Sequence, residues 1–380
     1  MRTRRTAVFV WLAVLAVLSL VLAACNDELA EEAEDFEVDE PDVDEVDDPE
    51  EEEPAIDEGD PEDDPDAQEI AWATSDVGSA GHTALVNLAA LLNREWEGYR
   101  IDVLPTAGAV QSVIGYATGE FDGYYGADIA FFEMAQGIDR FEGFEDDAER
   151  WPVQTFWAYP METGLAIHER DVDNFTAWGD LGGEPVFTGP APWDVRANLE
   201  RAMGELDVGH NYVEVDTGVA GTTLDGGEIS GLITYTAAEA SAPPWFTEAE
   251  LQTDMHVLNP SDEEVAQLED AGFEVVEIDT GVFEALGGDV ALFVPFFYGF
   301  HVGLEVSEDD VYDMLNVIDA HADELADADA SYAVLGQGVA ELQRRGVEAA
   351  IDDVEVHPGL ARWMQEQGVW DEAWDDRIAQ

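Results

Sequence analysis

Residues 70–104 read IAWATSDVGSAGHTALVNLAALLNREWEGYRIDVL, and the succession of periods in them sets the fold class. Ile70 to Thr74 is a short apolar run with a tryptophan at its centre, which predicts a strand. Ser75 to Gly81 is a loop of small residues. From about His82 to Trp96 the apolar positions Leu85, Leu88, Ala89 and Leu92 recur at helical spacing, so a helix is expected. Tyr99 to Leu104 alternates, with Ile101 and Val103 on one side, and reads as a second strand. Further on, Ala109 to Thr118 predicts a short helix and Phe121 to Ala127 a third strand. Strands and helices alternating in this order imply a parallel sheet with helices on its faces.

The pattern then repeats in kind. Strands are expected at Leu165–Ile167, Pro185–Thr188, Asn211–Val215, Leu232–Tyr235 and Phe273–Ile278, with helices at Trp193–Leu206 and Asp262–Ala271. Val290–Gly303 is a long apolar, aromatic strand region, and its Phe293–Phe300 stretch reads as a buried strand crossing back between two halves. Two helices close the chain: Ser307–Leu325, opened by Ser307 as N-cap with Asp310 three residues on, and roughly Tyr332–Ala350. The expected fold is α/β with two lobes, each a mostly parallel sheet flanked by helices, and a ligand cleft between them. Residues 70–160 and 292–380 would form lobe 1 and residues 161–291 lobe 2. In open α/β sheets ligands sit at the carboxyl ends of strands, where helix N-termini face the crevice. That directs attention to Ser75–Thr83, Thr106–Ser112, Thr188–Arg196 and Tyr235–Ala240.

The N-terminus carries an address. Three arginines within Met1–Arg5 precede an apolar run from Ala7 to Ala24, which ends in Leu22-Ala23-Ala24-Cys25. A basic start, an apolar run and small residues at a cleavage point describe a secretory signal over residues 1–25. Leu-Ala-Ala-Cys looks like a bacterial lipobox, with Cys25 lipidated and anchoring the chain to a membrane. An uncleaved anchor is the alternative, and either reading puts the body outside the cytoplasm. Cys25 is the only cysteine, so the body has no disulfide framework, no cysteine zinc site and no cysteine nucleophile.

Charge is the dominant compositional fact: the formal net charge is −74, with no lysine. Nucleic acid phosphates would repel such a chain. Residues 26–69 hold 26 acids and no base, with Phe36 the only aromatic, and read as a disordered tether; an acidic interaction tail is the rival reading. The other 62 acids spread over residues 70–380 against 11 arginines. Self-repulsion on that scale destabilises a compact state in dilute buffer, and molar salt shortens the screening length to about 3 Å. A high-salt habitat is implied, and Asp and Glu clusters are by default solvated surface. The seven histidines show no metal-ligand spacing. No Gly-x-Ser-x-Gly elbow supports a serine hydrolase, so no catalytic residues, metal or cofactor are expected.

Several separated motifs then fall into one order. Ala73-Thr74 leads through a Gly/Ser loop to His82-Thr83. Pro105-Thr106-Ala107-Gly108-Ala109-Val110-Gln111-Ser112 is followed by Gly119-Glu120-Phe121-Asp122. Thr188-Gly189-Pro190, Asp225-Gly226-Gly227-Glu228-Ile229 and His357-Pro358-Gly359 come after. Across most of residues 70–380 this resembles the TAXI family of solute-binding proteins, which serve tripartite ATP-independent (TRAP) transporters. The resemblance implies a two-lobed fold of the type II periplasmic-binding-protein kind. It also implies capture of a small carboxylate or amino acid, such as glutamate or 2-oxoglutarate, and handover to a permease driven by an ion gradient. Departures are visible. The family's Gly-Ser turn reads Gly108-Ala109 here, its Asn reads Ser112, and its Gly-Ser-Gly third loop reads Pro192-Trp193-Asp194, so the ligand can differ.

Candidate ligand-binding residues are therefore Thr74, Ser75 and His82 in the first loop, and Gly108, Ala109 and Gln111 in the second. Thr188, Trp193 and Arg196 follow in the third and Tyr235 in the fourth. Arg196 stands one turn into a helix whose start should face the cleft, and a guanidinium fork suits a carboxylate there. Trp157, Tyr159, Trp193 and Tyr235 are candidates for an aromatic wall, which would also suit a quaternary ammonium such as glycine betaine. Asp122 and Asp128 follow a strand near the cleft, with surface placement as the default. A surface enzyme or adhesion lipoprotein is the reading from another class.

Overall fold

A computed structural model describes residues 67–380. The expected signal peptide with Cys25 lies outside the described residues, as does nearly all of the expected tether. No described helix is long and apolar enough to cross a membrane.

The opening stretch folds as its periods dictate. Strand β1 (Gln68–Thr74), helix α1 (Ala80–Glu95), β2 (Tyr99–Pro105), α2 (Ala109–Ala117) and β3 (Gly123–Ala127) follow in order. β1 runs parallel to β2 from Gln68 opposite Tyr99 to Thr74 opposite Pro105, and meets β3 in parallel at Trp72 and Gly123. Helix α3 (Asp128–Gln136) starts directly on the end of β3.

A second parallel group forms from β5 (Pro185–Phe187), β6 (Asn211–Tyr212) and β7 (Gly231–Ala237), with α4 (Asp194–Glu205) crossing between β5 and β6. Two long strands join the groups: β4 (Trp157–His168) and β10 (Val290–Val302). β10 is antiparallel to β3 and to β4, and β4 is antiparallel to β7. The result is one mixed sheet in the order β2-β1-β3-β10-β4-β7-β5-β6, with β8 (Met255–Leu258) on β4 and β9 (Val276–Asp279) on β10. The α/β class and its two parallel groups follow the sequence expectation.

Boundaries shift where local chemistry overrides period. The strand expected at Leu165–Ile167 begins eight residues earlier, at Trp157. The helix expected over Ser307–Leu325 breaks at His321 into α8 (Glu308–Ala320) and α9 (Ala322–Ala328). The Tyr332–Ala350 helix opens with 3-10 turns and becomes α10 only at Val339–Ala350. His357-Pro358-Gly359 starts a helix, α11 (Pro358–Gln367): His357 Nδ1 accepts from the Gly359 N–H at 3.1 Å and Pro358 occupies the first turn. Helices α5 (Ala220–Asp225), α6 (Pro244–Glu250) and α7 (Asp262–Asp270) pack beside the second group.

The core is aromatic. Trp72, Trp157, Trp178 and Trp363 are fully buried. His301 on β10 sits among Trp157, Phe131 and Tyr124, and its Nδ1 accepts from the Thr155 N–H at 3.0 Å. Burial without a charge partner lowers its pKa to about 3, so it is a neutral core residue.

Candidate functional site

Strand ends and helix starts converge on a cavity of about 730 Å³. Its wall takes Ser75, Ser79 and Ala80 from the start of α1, Gly108 to Gln111 from the start of α2, and Trp193 to Val195 from the start of α4. Tyr125 on β3, Tyr159 and Met161 on β4, Tyr235 on β7 and Tyr298 on β10 complete it, with Arg140.

The three helix starts are chemically different. At α1, Ser79 caps: its Oγ accepts from the His82 N–H at 3.3 Å and shares a 2.7 Å hydrogen bond with Ser75 Oγ. At α4, Asp194 places a carboxylate in the first turn. At α2 there is no side-chain cap: the chain enters through Gly108, with φ 149°, a conformation only glycine adopts freely. The first-turn N–H groups of Ala109, Val110 and Gln111, all wall residues, thus keep their donor capacity and the positive end of the helix. Thr106 fixes the turn, its Oγ1 accepting from the Gly108 N–H at 3.2 Å and donating to the Thr74 carbonyl at 2.5 Å.

The cationic group in the wall is Arg140, from the 3-10 turn Asp139–Phe141, and the acids of the wall are Asp76 and Asp194. Its Nε donates to Glu133 Oε2 at 2.6 Å and its Nη1 to Asp194 Oδ1 at 2.5 Å. Burial opposes the charge, but Asp194 and Glu133 outweigh it and raise the guanidinium pKa above its ordinary value. Two carboxylates against one guanidinium leave this corner of the cavity without net positive charge.

Tyrosines form the floor. The Tyr298 hydroxyl donates to Asp194 Oδ2 at 2.6 Å, and the Tyr125 and Tyr159 hydroxyls share a 2.6 Å hydrogen bond. Tyr125 and Tyr298 stack at 4.7 Å between centroids. The Tyr235 hydroxyl accepts from Trp245 Nε1 at 3.1 Å, and burial pushes its pKa up to about 12. The floor is therefore neutral, with aromatic faces and anchored hydroxyls.

Of the residues expected from sequence, Ser75, Gly108, Ala109, Gln111, Trp193 and Tyr235 line the cavity, and so does Tyr159. The others stand elsewhere. Thr74 is fully buried at the end of β1, with its carbonyl taken by Thr106. His82 lies in the first turn of α1, half-buried, outside the wall. Thr188 is fully buried and donates to Glu200 Oε1 at 2.5 Å. Arg196 lies 3.7 Å over the Tyr212 ring, with its Nε 3.4 Å from Glu200, and faces a neighbouring cavity. Trp157 belongs to the core.

Asp128 departs from its expected surface position: its side chain is buried, Oδ1 accepts from the Phe297 N–H at 2.9 Å, and burial raises its pKa to about 7. Asp122 Oδ2 accepts from the Ala71 N–H at 3.0 Å. Sequence reasoning missed Arg140, Asp194, Tyr125 and Tyr298. The scarcity of arginine was a usable signal for Arg140, but its segment carried no periodicity to place it. Among the described residues no cluster of His, Asp and Glu is arranged to hold a metal ion.

No protein-family model matches this chain, and no curated protein matches it. Solved structures with a similar chain path include binding proteins. The periplasmic aliphatic sulphonate binding protein SsuA from Escherichia coli is 12% identical over 82% of this chain and 92% of its own, with a TM-score of 0.40. A probable amino-acid ABC transporter extracellular-binding protein from Bacillus subtilis is 10% identical over 72% of this chain and 97% of its own, at a TM-score of 0.37. A TRAP periplasmic solute binding protein from Chromohalobacter salexigens, with bound D-glucuronate, is 14% identical over 78% of this chain and 93% of its own, at a TM-score of 0.35.

Proposed function

We propose that this chain is an extracytoplasmic solute-binding protein of a TAXI-type TRAP transporter, anchored through a lipid on Cys25, and that it delivers its solute to a membrane permease. In this reading residues 70–160 with 292–380 and residues 161–291 are two lobes around the 730 Å³ cavity. The observation that carries the reading is the uncapped start of α2 facing an aromatic, hydroxyl-bearing wall. A solute carboxylate takes the N–H groups of Ala109 to Gln111, an interaction that contributes roughly 0.3–2 kcal/mol, and the rest of the solute lies against Tyr125, Trp193, Tyr235 and Tyr298. A small carboxylate or an amino acid fits this division of labour.

A second ligand reading has its own observation. Arg140 is already engaged by Glu133 and Asp194, whereas five aromatic rings line the wall. A zwitterion such as glycine betaine would use the same α2 start for its carboxylate. It would place its quaternary ammonium over the rings, at about 0.5–2 kcal/mol per good contact.

Thermal-shift titration of the full chain in molar salt, against carboxylates, amino acids and betaines, tests both. The proposal expects one class to raise the melting temperature and Trp193→Ala to abolish the rise. Betaine alone giving the shift selects the second ligand. No shift with any of them sinks the binding-protein reading.

A further inference from the structure

A second cavity, of about 450 Å³, shares Arg140 with the first and lies along α3 and α4. Three guanidinium groups line it: Arg140, Arg196 and Arg201. Such a gathering is unusual in a chain with 14 basic side chains against 88 acids.

What counts is the hydrogen-bonding capacity left over. Arg201 lies over the rings of Phe132 at 4.1 Å and Phe273 at 4.7 Å, and makes no hydrogen bond or ion pair among the described residues. Its charge is felt by Asp128 and Asp353 only at longer range. Stacking holds the guanidinium plane but leaves its edge N–H donors untouched. Arg196 is likewise fixed over Tyr212, with its Nε alone directed at Glu200. Arg140 Nη2 is buried and has no acceptor. Of the lining's acids, Glu133 and the half-buried Glu200 are already engaged, and Asp139 is exposed. Glu133 holds Arg140, and Glu200 accepts from Thr188 and Arg196 and lies 3.3 Å from His210 Nε2. The unused capacity of Arg201, Arg196 and Arg140 Nη2 is thus donor capacity, with Arg201 and Arg196 held on aromatic platforms.

We infer that this cavity is a binding site for a small oxyanion (a sulfate, phosphate or carboxylate group), separate from the solute cavity, with Arg201 and Arg196 as its principal donors. The oxyanion accepts in-plane N–H bonds from Arg201 and Arg196 and takes the remaining donor of Arg140. A buried guanidinium nitrogen without an acceptor is costly, and the bound anion removes that cost. The site goes beyond transport of the solute, because it shares only Arg140 with the larger cavity and none of that cavity's tyrosines lines it.

Calorimetric titration of the full chain with sulfate, in potassium chloride held constant, tests this. The expected result is a single saturable site at millimolar sulfate. It is weakened about tenfold or more in Arg201→Gln and in Arg196→Gln, as loss of a charge-assisted fork implies, and unchanged in Trp193→Ala. Using both arginine variants, each checked for native circular dichroism, separates lost binding from lost folding. Non-saturable heats in the wild type, or equal affinity in a folded Arg201→Gln, overturn the site. Loss of sulfate binding in Trp193→Ala also overturns it, by placing the anion in the larger cavity. Sulfate bound as expected, with no organic solute raising the melting temperature, would leave this site standing and remove the transport reading alone.

Discussion

Arg140 and Asp194 pair at 2.5 Å with only 19% and 8% of their side chains exposed, linking the turn after α3 to the first turn of α4 at the edge of the larger cavity. Removing one partner of a buried pair typically costs about 3–5 kcal/mol, because the other charge stays buried. Glu133 keeps part of Arg140 satisfied, so Asp194→Ala is expected at the lower end of that range, and it also strips the Tyr298 hydroxyl of its acceptor. Denaturant unfolding in constant salt measures it. A change below about 1 kcal/mol would mean the pair behaves as a surface contact.

Gln343 on α10 clamps the backbone of β4: its Oε1 accepts from the Trp157 N–H at 2.8 Å and its Nε2 donates to the Trp157 carbonyl at 2.7 Å. One turn on, Gly346 lies against the Trp157 indole so closely that a Cβ would come within 2.2 Å of the ring. Gly346→Ala is expected to destabilise by about 1–3 kcal/mol through overpacking, although alanine is the better helix former. A stability equal to the wild type in thermal unfolding would show that α10 can slide off β4.

Two buried carboxyls give the protein an unusual pH response. Burial raises Glu162 to about 8 and Asp128 to about 7, so between the ordinary carboxyl pKa and these values the folded chain binds more protons than the unfolded one. Stability from these groups is complete at low pH and is lost as pH rises toward about 8. Burial lowers His301 to about 3 and His357 to about 4, which works the other way: their contribution is present above the unfolded value near 6.5 and is lost as pH falls. Between about pH 4.5 and 6.5 the opposed terms nearly cancel, so the melting temperature is predicted to hold a plateau there and to fall from about pH 6.5 to 8. Glu162→Gln should flatten that upper limb, and a limb unchanged in this variant would reject the assignment.

The formal charge of −74 predicts a strong salt dependence. Raising potassium chloride from dilute to molar shortens the screening length from about 10 Å at 0.1 M to about 3 Å, and the melting temperature should climb across that range. A flat response would mean that the repulsion is already balanced within the fold.

Much of this architecture is legible in the sequence because amphipathic period and strand alternation survive wherever an element has one wet face. β2, α1 and α2 are of that kind. β4 is not. Trp157 to His168 is buried on both faces and contains Pro160 and Gly164, so neither alternation nor composition announces a strand. Helix α3 begins with no loop after β3, and its acidic first residue looked like surface until Asp128 was seen holding the Phe297 N–H. The loop positions of the larger cavity were readable because helix starts at strand ends are a general rule. Arg140 was not, since a three-residue 3-10 turn leaves no periodic trace. Arg196, chosen for its scarcity and its place near a helix start, does sit in a cavity, but the crossing of α3 over α4 assigns it to the smaller one.

The ladder of backbone hydrogen bonds runs unbroken from β2 to β6, because β10 holds both β3 and β4 and β4 holds β7. Two halves joined by bare linkers would swing freely. Here a widening of the larger cavity has to be absorbed as torsion distributed along a continuous sheet. Pro160 and Pro295 remove donors where β4 and β10 run side by side, and the register slips between Tyr298 and Gly299, beneath the tyrosine floor. The cross-strand bonding of that continuous sheet is thus interrupted along one short stretch, directly beneath the tyrosines of the larger cavity.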